Sequence, residues 1–157
     1  MNYFDLNNSS WLVIAAIFSG VIFYLVYMRS VESRRVARKY EKDEIIISSF
    51  GVNYFGRESE PGKPLRSSGV LVLLKNGLYY RARWRQIELF ILGSTITYIG
   101  VSDVFKKKSL YQHAVIISFL NEQGKDDKAA FRIPYPAQWI NAIKFNLLNK
   151  KAEITDS

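Results

Sequence analysis

The chain has 157 residues, no cysteine, and a formal net charge of +8 from 22 lysines and arginines against 14 aspartates and glutamates. The lack of cysteine excludes disulfides and thiolate metal sites. The length leaves room for one small core besides an anchor and is marginal for two.

Residues 11–28 read WLVIAAIFSGVIFYLVYM, without a charge. As a helix of about 1.5 Å per residue this run is roughly 27 Å long, close to the thickness of a bilayer core. It predicts one transmembrane helix behind a short extracytoplasmic N-terminus at 1–10. A cleaved signal peptide would carry a basic flank ahead of the run, whereas MNYFDLNNSS has neither lysine nor arginine. A buried core helix would show a polar stripe, and the polar side chains here are only Ser19 and the tyrosines. Arg29, Arg34, Arg35, Arg38 and Lys39 follow immediately. Basic flanks stay in the cytoplasm, so the expected orientation is N-terminus out and C-terminal domain in. Trp11, Tyr24 and Tyr27 suit the two membrane interfaces. Ala15, Ala16, Ser19 and Gly20 form two small-xxx-small pairs, a packing face for a second copy or for a different membrane protein.

Residues 29–44, RSVESRRVARKYEKDE, contain no glycine or proline, so the helix is expected to run on as a basic juxtamembrane connector. Its basic residues would attract anionic headgroups at about 1 kcal/mol each, or would serve topology alone.

From residue 45 the pattern alternates. Ile46, Ser48, Phe50, Val52 and Tyr54 share one face of a first strand, and GRESEPGKPLRSS reads as a loop. GVLVLLK and LYYRARW flank Asn76-Gly77, whose positive φ angles would make a tight hairpin of strands two and three. ELFIL is a fourth strand, and Gly93-Ser94 turns into a fifth, TITYIGV. DVFKKKSLYQH is expected to be a basic loop. AVIISFLN and KAAFRI, joined by EQGKDD, form a second hairpin, strands six and seven. Pro136 then opens a helix with Trp139, Ile140, Ile143 and Leu147 on one face. The domain spans 45–150 and leaves a tail at 151–157.

The segments GVLVLLKNGLYYRA, ELFILGSTITYIGV and AVIISFLNEQGKDDKAAFRIPYPAQWINAI resemble bacterial relatives of the pleckstrin-homology fold, a PH-like or GRAM-like family that includes membrane-anchored members. The resemblance covers about two thirds of the chain. It implies a mainly β domain, a seven-stranded bent barrel capped by a C-terminal α-helix, behind one N-terminal transmembrane helix in a bacterial inner membrane. Curling hides sheet edges that an open layer would expose, and Trp139 is the natural plug.

The lipid-binding members of that family carry a basic motif across the first loop and second strand. Here the loop offers Arg57, Lys63 and Arg66 but also Glu58 and Glu60, and the second strand is almost wholly apolar. Two other basic features stand out. Arg81, Arg83 and Arg85 alternate with Ala82 and Trp84, which aims three guanidinium groups to one face of the third strand and its extension. Lys106, Lys107 and Lys108 sit in the basic loop. Either set suits an anionic lipid, an acidic protein or a phosphate-bearing ligand.

An enzyme is not expected. The chain has one histidine, His113, and no phosphate-cradling glycine loop or carboxylate pair at a defined spacing. Glu41, Asp43, Glu44, Asp126 and Asp127 read as solvated charge in a connector and a turn. No metal or cofactor is expected. Nucleic acid is disfavoured as a partner, because strand alternation puts Leu78, Tyr80, Ala82 and Trp84 on the face opposite the arginines. The sequence therefore predicts a non-catalytic single-pass membrane protein presenting a binding or scaffolding domain to the cytoplasm. Its expected partner is another membrane protein, or itself. The alternative is anionic phospholipid, bound through the arginine stripe and the lysine loop.

Overall fold

The computed structural model describes residues 5–62 and 66–149. Lys63, the first four residues and the tail at 151–157 lie outside the described residues. The chain divides into two compact units, residues 1–39 and 40–157.

The first unit is a single helix, α1 (Asp5–Lys39). No proline interrupts it, and it continues through the connector to a basic last turn containing Arg38 and Lys39, where positive charge favours the helix dipole. Its apolar side chains from Trp11 to Tyr27 are exposed around the whole circumference. It is long and apolar enough to cross a membrane. Those properties fit a membrane anchor, and a signal sequence near an N-terminus shares them.

The second unit is mainly β. Its strands are β1 (Ile45–Arg57), β2 (Ser67–Leu74), β3 (Gly77–Ala82), β4 (Glu88–Leu92), β5 (Ile96–Phe105), β6 (Lys108–Leu120) and β7 (Asp126–Arg132), followed by helix α2 (Pro136–Ile143). The seven strands form one antiparallel sheet in the order β4-β3-β2-β1-β7-β6-β5. β1 is the hinge of that order. Its residues 45–54 pair with β2 and its residues 53–57 with β7. Gly51 and Gly56 take φ angles of 72° and 99°, which a β-carbon would oppose. The register shifts beside them bend the strand from one half of the sheet into the other. The bend also breaks the alternation expected of β1, so Val52 and Tyr54 are buried while Ser48 is exposed.

Side chains from all seven strands enter one core, among them Tyr54, Leu71, Tyr80, Ile91, Ile117 and Phe131. One face of a single sheet can share one core only if the sheet curls. The rings of Tyr54, Tyr80 and Phe131 meet at centroid distances of 4.9, 5.1 and 5.6 Å. Helix α2 adds Trp139 and Ile143 to the same core. After Ile143 the backbone widens into a π turn, Lys144–Leu148, which brings Leu147 inward four residues later.

Two turns differ from the sequence expectation. The β2–β3 hairpin forms, but its two turn residues are Lys75 and Asn76, and neither Asn76 nor Gly77 has a positive φ. Gly77 lies in β3, where a β-carbon would collide with the Ile91 carbonyl oxygen. Glycine is required there by close approach, not by φ. The expected basic loop is instead a hairpin: Phe105 pairs with Lys108, and Lys106 and Lys107 alone make the turn, with φ of 51° and 60°. This left-handed pair is the conformation that asparagine and glycine usually supply, so the sequence conceals it. Lys107→Gly is expected to stabilise the domain by about 1 kcal/mol by relieving that backbone strain. Urea unfolding followed by tryptophan fluorescence would measure it.

Candidate binding surfaces

The arginines do not share one strand face. β3 stops at Ala82, whose amide donates to the Ile87 carbonyl at 2.9 Å, while the Arg83 amide donates to the Ser68 carbonyl at 2.8 Å. Residues 83–87 thus become a loop. Arg81 remains on β3, where its guanidinium sits 3.3 Å from the Glu88 carboxylate on the paired rung. Arg83 is half-buried and Arg85 exposed. Leu78, Tyr80 and Ala82 face inward as expected. Trp84 does not; it is 72% exposed at the loop tip between the two arginines.

The lysines fall elsewhere. Lys106 donates from Nζ to the Glu60 carbonyl, and Lys107 and Lys108 are exposed. Lys106, Lys107 and Lys128 border a recess of about 380 Å³ whose floor includes Tyr98 and Ile116. The Tyr98 ring lies across Gly100, which has no room for a side chain. Lys128 pairs with Glu58 at 3.1 Å. His113 is exposed on β6 and borders another recess with Asp103 and Arg132.

Along α1, Ala16, Ser19 and Gly20 are exposed and Ala15 is partly so. Arg29, Arg34, Arg35, Arg38 and Lys39 are exposed beyond them on the same helix.

The β1–β2 loop is fastened to the sheet by two carboxylates. Asp127, expected in solvent, is 1% exposed. It accepts from the Ser59 amide at 3.0 Å, the Ser59 hydroxyl at 2.6 Å and the Lys128 amide at 2.8 Å. Glu60 accepts from the Tyr54 hydroxyl at 3.3 Å, Arg57 Nε at 3.3 Å and the Arg57 amide at 3.1 Å. Burial first, then the Glu60 charge, pushes the Tyr54 phenol far above its ordinary pKa. The folded chain holds that proton more tightly than the unfolded one. Its stabilising effect is complete below the unfolded phenol's pKa of about 10 and is lost as pH rises beyond it. Tyr54→Phe is expected to cost about 1 kcal/mol at neutral pH, for one hydrogen bond. The urea midpoints of wild type and variant should converge above about pH 10. A gap that stays constant with pH would contradict the assignment.

The last surface follows β4. Hydrogen bonds from Ala82 to Ile87 and from Gly93 to Asn76 flank the β3–β4 ladder and set its phase. Residues 87, 89, 91 and 93 direct their backbone groups at β3, so residues 88, 90 and 92 direct theirs off the sheet. The Leu92 carbonyl accepts from the Thr95 hydroxyl at 2.7 Å. The Phe90 amide and carbonyl and the Leu92 amide make no hydrogen bond among the described residues. Beside this edge runs a groove of about 540 Å³. Leu89, Ile91 and Phe119 form its walls, and Glu60, Glu88, Glu122 and Arg57 border it. Nothing in ELFIL announces the groove, because its far wall comes from β1 and β6.

No family model and no curated protein matches the chain. Among solved structures, the C-terminal domain of an unknown protein from Leishmania infantum is similar over 66% of this chain and 84% of that one, at 12% identity and a TM-score of 0.46. A chain of the 8S snRNP assembly intermediate is similar over 71% of this chain and 84% of that one, at 8% identity and a TM-score of 0.49.

Proposed function

We propose that the chain is a single-pass membrane protein holding a pleckstrin-homology-like domain at the cytoplasmic face of a bacterial inner membrane. The domain is a non-catalytic docking module for another protein of that membrane. The observation that carries this reading is the β4 edge, an apolar strand with backbone groups turned outward beside an apolar groove. The sheet order, the curl and the closing helix support the PH-like assignment. The orientation rests on Arg29, Arg34, Arg35, Arg38 and Lys39 behind the apolar helix. A tether raises the effective concentration of the domain near its neighbours to about millimolar, so a weak contact suffices.

The test is to solubilise the full chain in mild detergent, capture it through a C-terminal tag and identify what accompanies it in stoichiometric amount. A membrane-protein companion is the expected result, and recovery of the chain alone would count against the reading.

One observation favours a second reading, anionic phospholipid: the exposed Trp84 flanked by Arg83 and Arg85 has an apolar ring for the interface and two cations for phosphates. Arg83→Gln with Arg85→Gln separates the two. Docking to a protein groove leaves companion capture unchanged, whereas the lipid reading requires that this variant bind anionic vesicles less tightly and with a weaker salt dependence.

A further inference from the structure

A flat apolar sheet edge accepts another strand unless something blunts it. The two edges of this sheet differ in that respect. β5 pairs with β6 through register shifts at Ile96/Tyr98 and Ser102/Val104 and ends in the lysine turn. Bulges and lysines both discourage pairing. β4 pairs with β3 without a shift, from Glu88 opposite Arg81 to Leu92 opposite Gly77. It contains neither lysine nor proline.

Charge then selects the occupant. Three carboxylates and one guanidinium border the groove, in a chain whose net charge is +8. Arg57 holds Glu60 and Arg81 holds Glu88, so the carboxylate that decides the sign is Glu122, which has no ion-pair partner among the described residues. A second copy of this chain, pairing β4 against β4, would bring a second Glu122 to the groove and no cation for it. A basic segment brings that cation.

We propose that β4 takes up an extended basic segment of the partner membrane protein as an added strand. This inference rests on the docking reading above. The segment's backbone completes the ladder at Phe90 and Leu92, its alternate apolar side chains enter the groove, and a lysine or arginine of it meets Glu122. Cytoplasmic segments that flank membrane spans carry an excess of lysine and arginine, so the partner's accessible chain has the required sign.

The full chain in nanodiscs of neutral lipid is probed with two hexapeptides, one alternating lysine with valine and one alternating glutamate with valine. The lysine peptide is expected to bind and to slow hydrogen exchange of the Phe90 and Leu92 amides by about tenfold or more. The glutamate peptide is not. Leu92 has φ −66°, the angle proline imposes, and its amide points off the sheet, so Leu92→Pro is compatible with the fold. That variant should lose about tenfold in affinity, while Leu92→Ala, which keeps the amide, stays within about threefold. Glu122→Gln should weaken binding and flatten its salt dependence.

Equal loss in the proline and alanine variants, equal binding of both peptides, or a dimer that Leu92→Pro abolishes without peptide would each overturn the inference. Companion capture distinguishes the two levels. If Leu92→Pro retains the same stoichiometric companion as wild type, docking stands and strand addition fails. If wild type captures none, the docking reading fails first.

Discussion

Asp127→Ala should lower the stability of the β domain by about 3–5 kcal/mol, the loss associated with breaking a buried charged network. The carboxylate is almost fully buried and accepts three hydrogen bonds, two of them from Ser59, 68 positions away in the chain. Removing it strands the Ser59 and Lys128 amides. A domain of this size has a total stability of about 5–15 kcal/mol, so the variant would sit near its unfolding threshold. Asp127→Asn retains an acceptor and should cost less, about 1–2 kcal/mol. Ser59→Ala removes one donor, and a double-mutant cycle with Asp127→Asn should show coupling, since the two groups touch. Denaturant midpoints measured on wild type, the three single variants and the double variant would test the series. A loss below about 1 kcal/mol for Asp127→Ala would mean that water replaces the carboxylate.

Trp139→Ala should cost about 3–5 kcal/mol for a different reason, the cavity left by a large ring. Trp139 is 3% exposed and belongs to the same core as the inner faces of the strands. Ile143 and Leu147 are its buried companions, with Ile140, Ala142 and Leu148 packed partly against the same core, and Trp139 is the largest of these side chains. Amide exchange in α2 should therefore rise more than exchange in β2, whose residues are nearly all buried. Trp139→Phe keeps most of the apolar area and should lose less than half as much. Uniform acceleration across α2 and β2 would show instead that the domain opens only as a whole.

These two residues mark what the sequence discloses. The four-residue spacing of Trp139, Ile143 and Leu147 is a local pattern, and the helix and its buried face follow from it. ELFIL matches β4 to the residue, and seven runs, alternating or wholly apolar and set off by turn residues, correspond to seven strands. Asp127 has no such signal. Its neighbours are polar, it follows a turn, and its burial depends on a serine from another hairpin. Trp84 leaves the face that alternation assigns to it because the strand ends at Ala82, whose amide bonds to the Ile87 carbonyl. The β4 groove was hidden for a third reason: a strand becomes an edge through the order of the whole sheet, here set by the pairing of β1 with β7. Local signals point the other way: Gly93-Ser94 is a tight-turn dipeptide that suggests β5 as the next neighbour of β4, whereas residues 93–95 form a single helical turn and β5 pairs with β6.

The turn at Lys106 and Lys107 bears on how this molecule would be digested. Three consecutive lysines on an exposed tip are what trypsin seeks, and loop tips are the usual place for a first nick. A protease, however, needs several residues drawn out straight in its cleft. Here two of the lysines are coiled left-handed, the third is already in β6, and Lys106 is tied to the Glu60 carbonyl. Cleavage must wait until the hairpin unzips, so its rate follows how often that hairpin opens rather than how exposed it is. Trypsin would act as a clock for the β5–β6 hairpin, and the clock should run faster when Glu60 is made unable to hold its end of the loop.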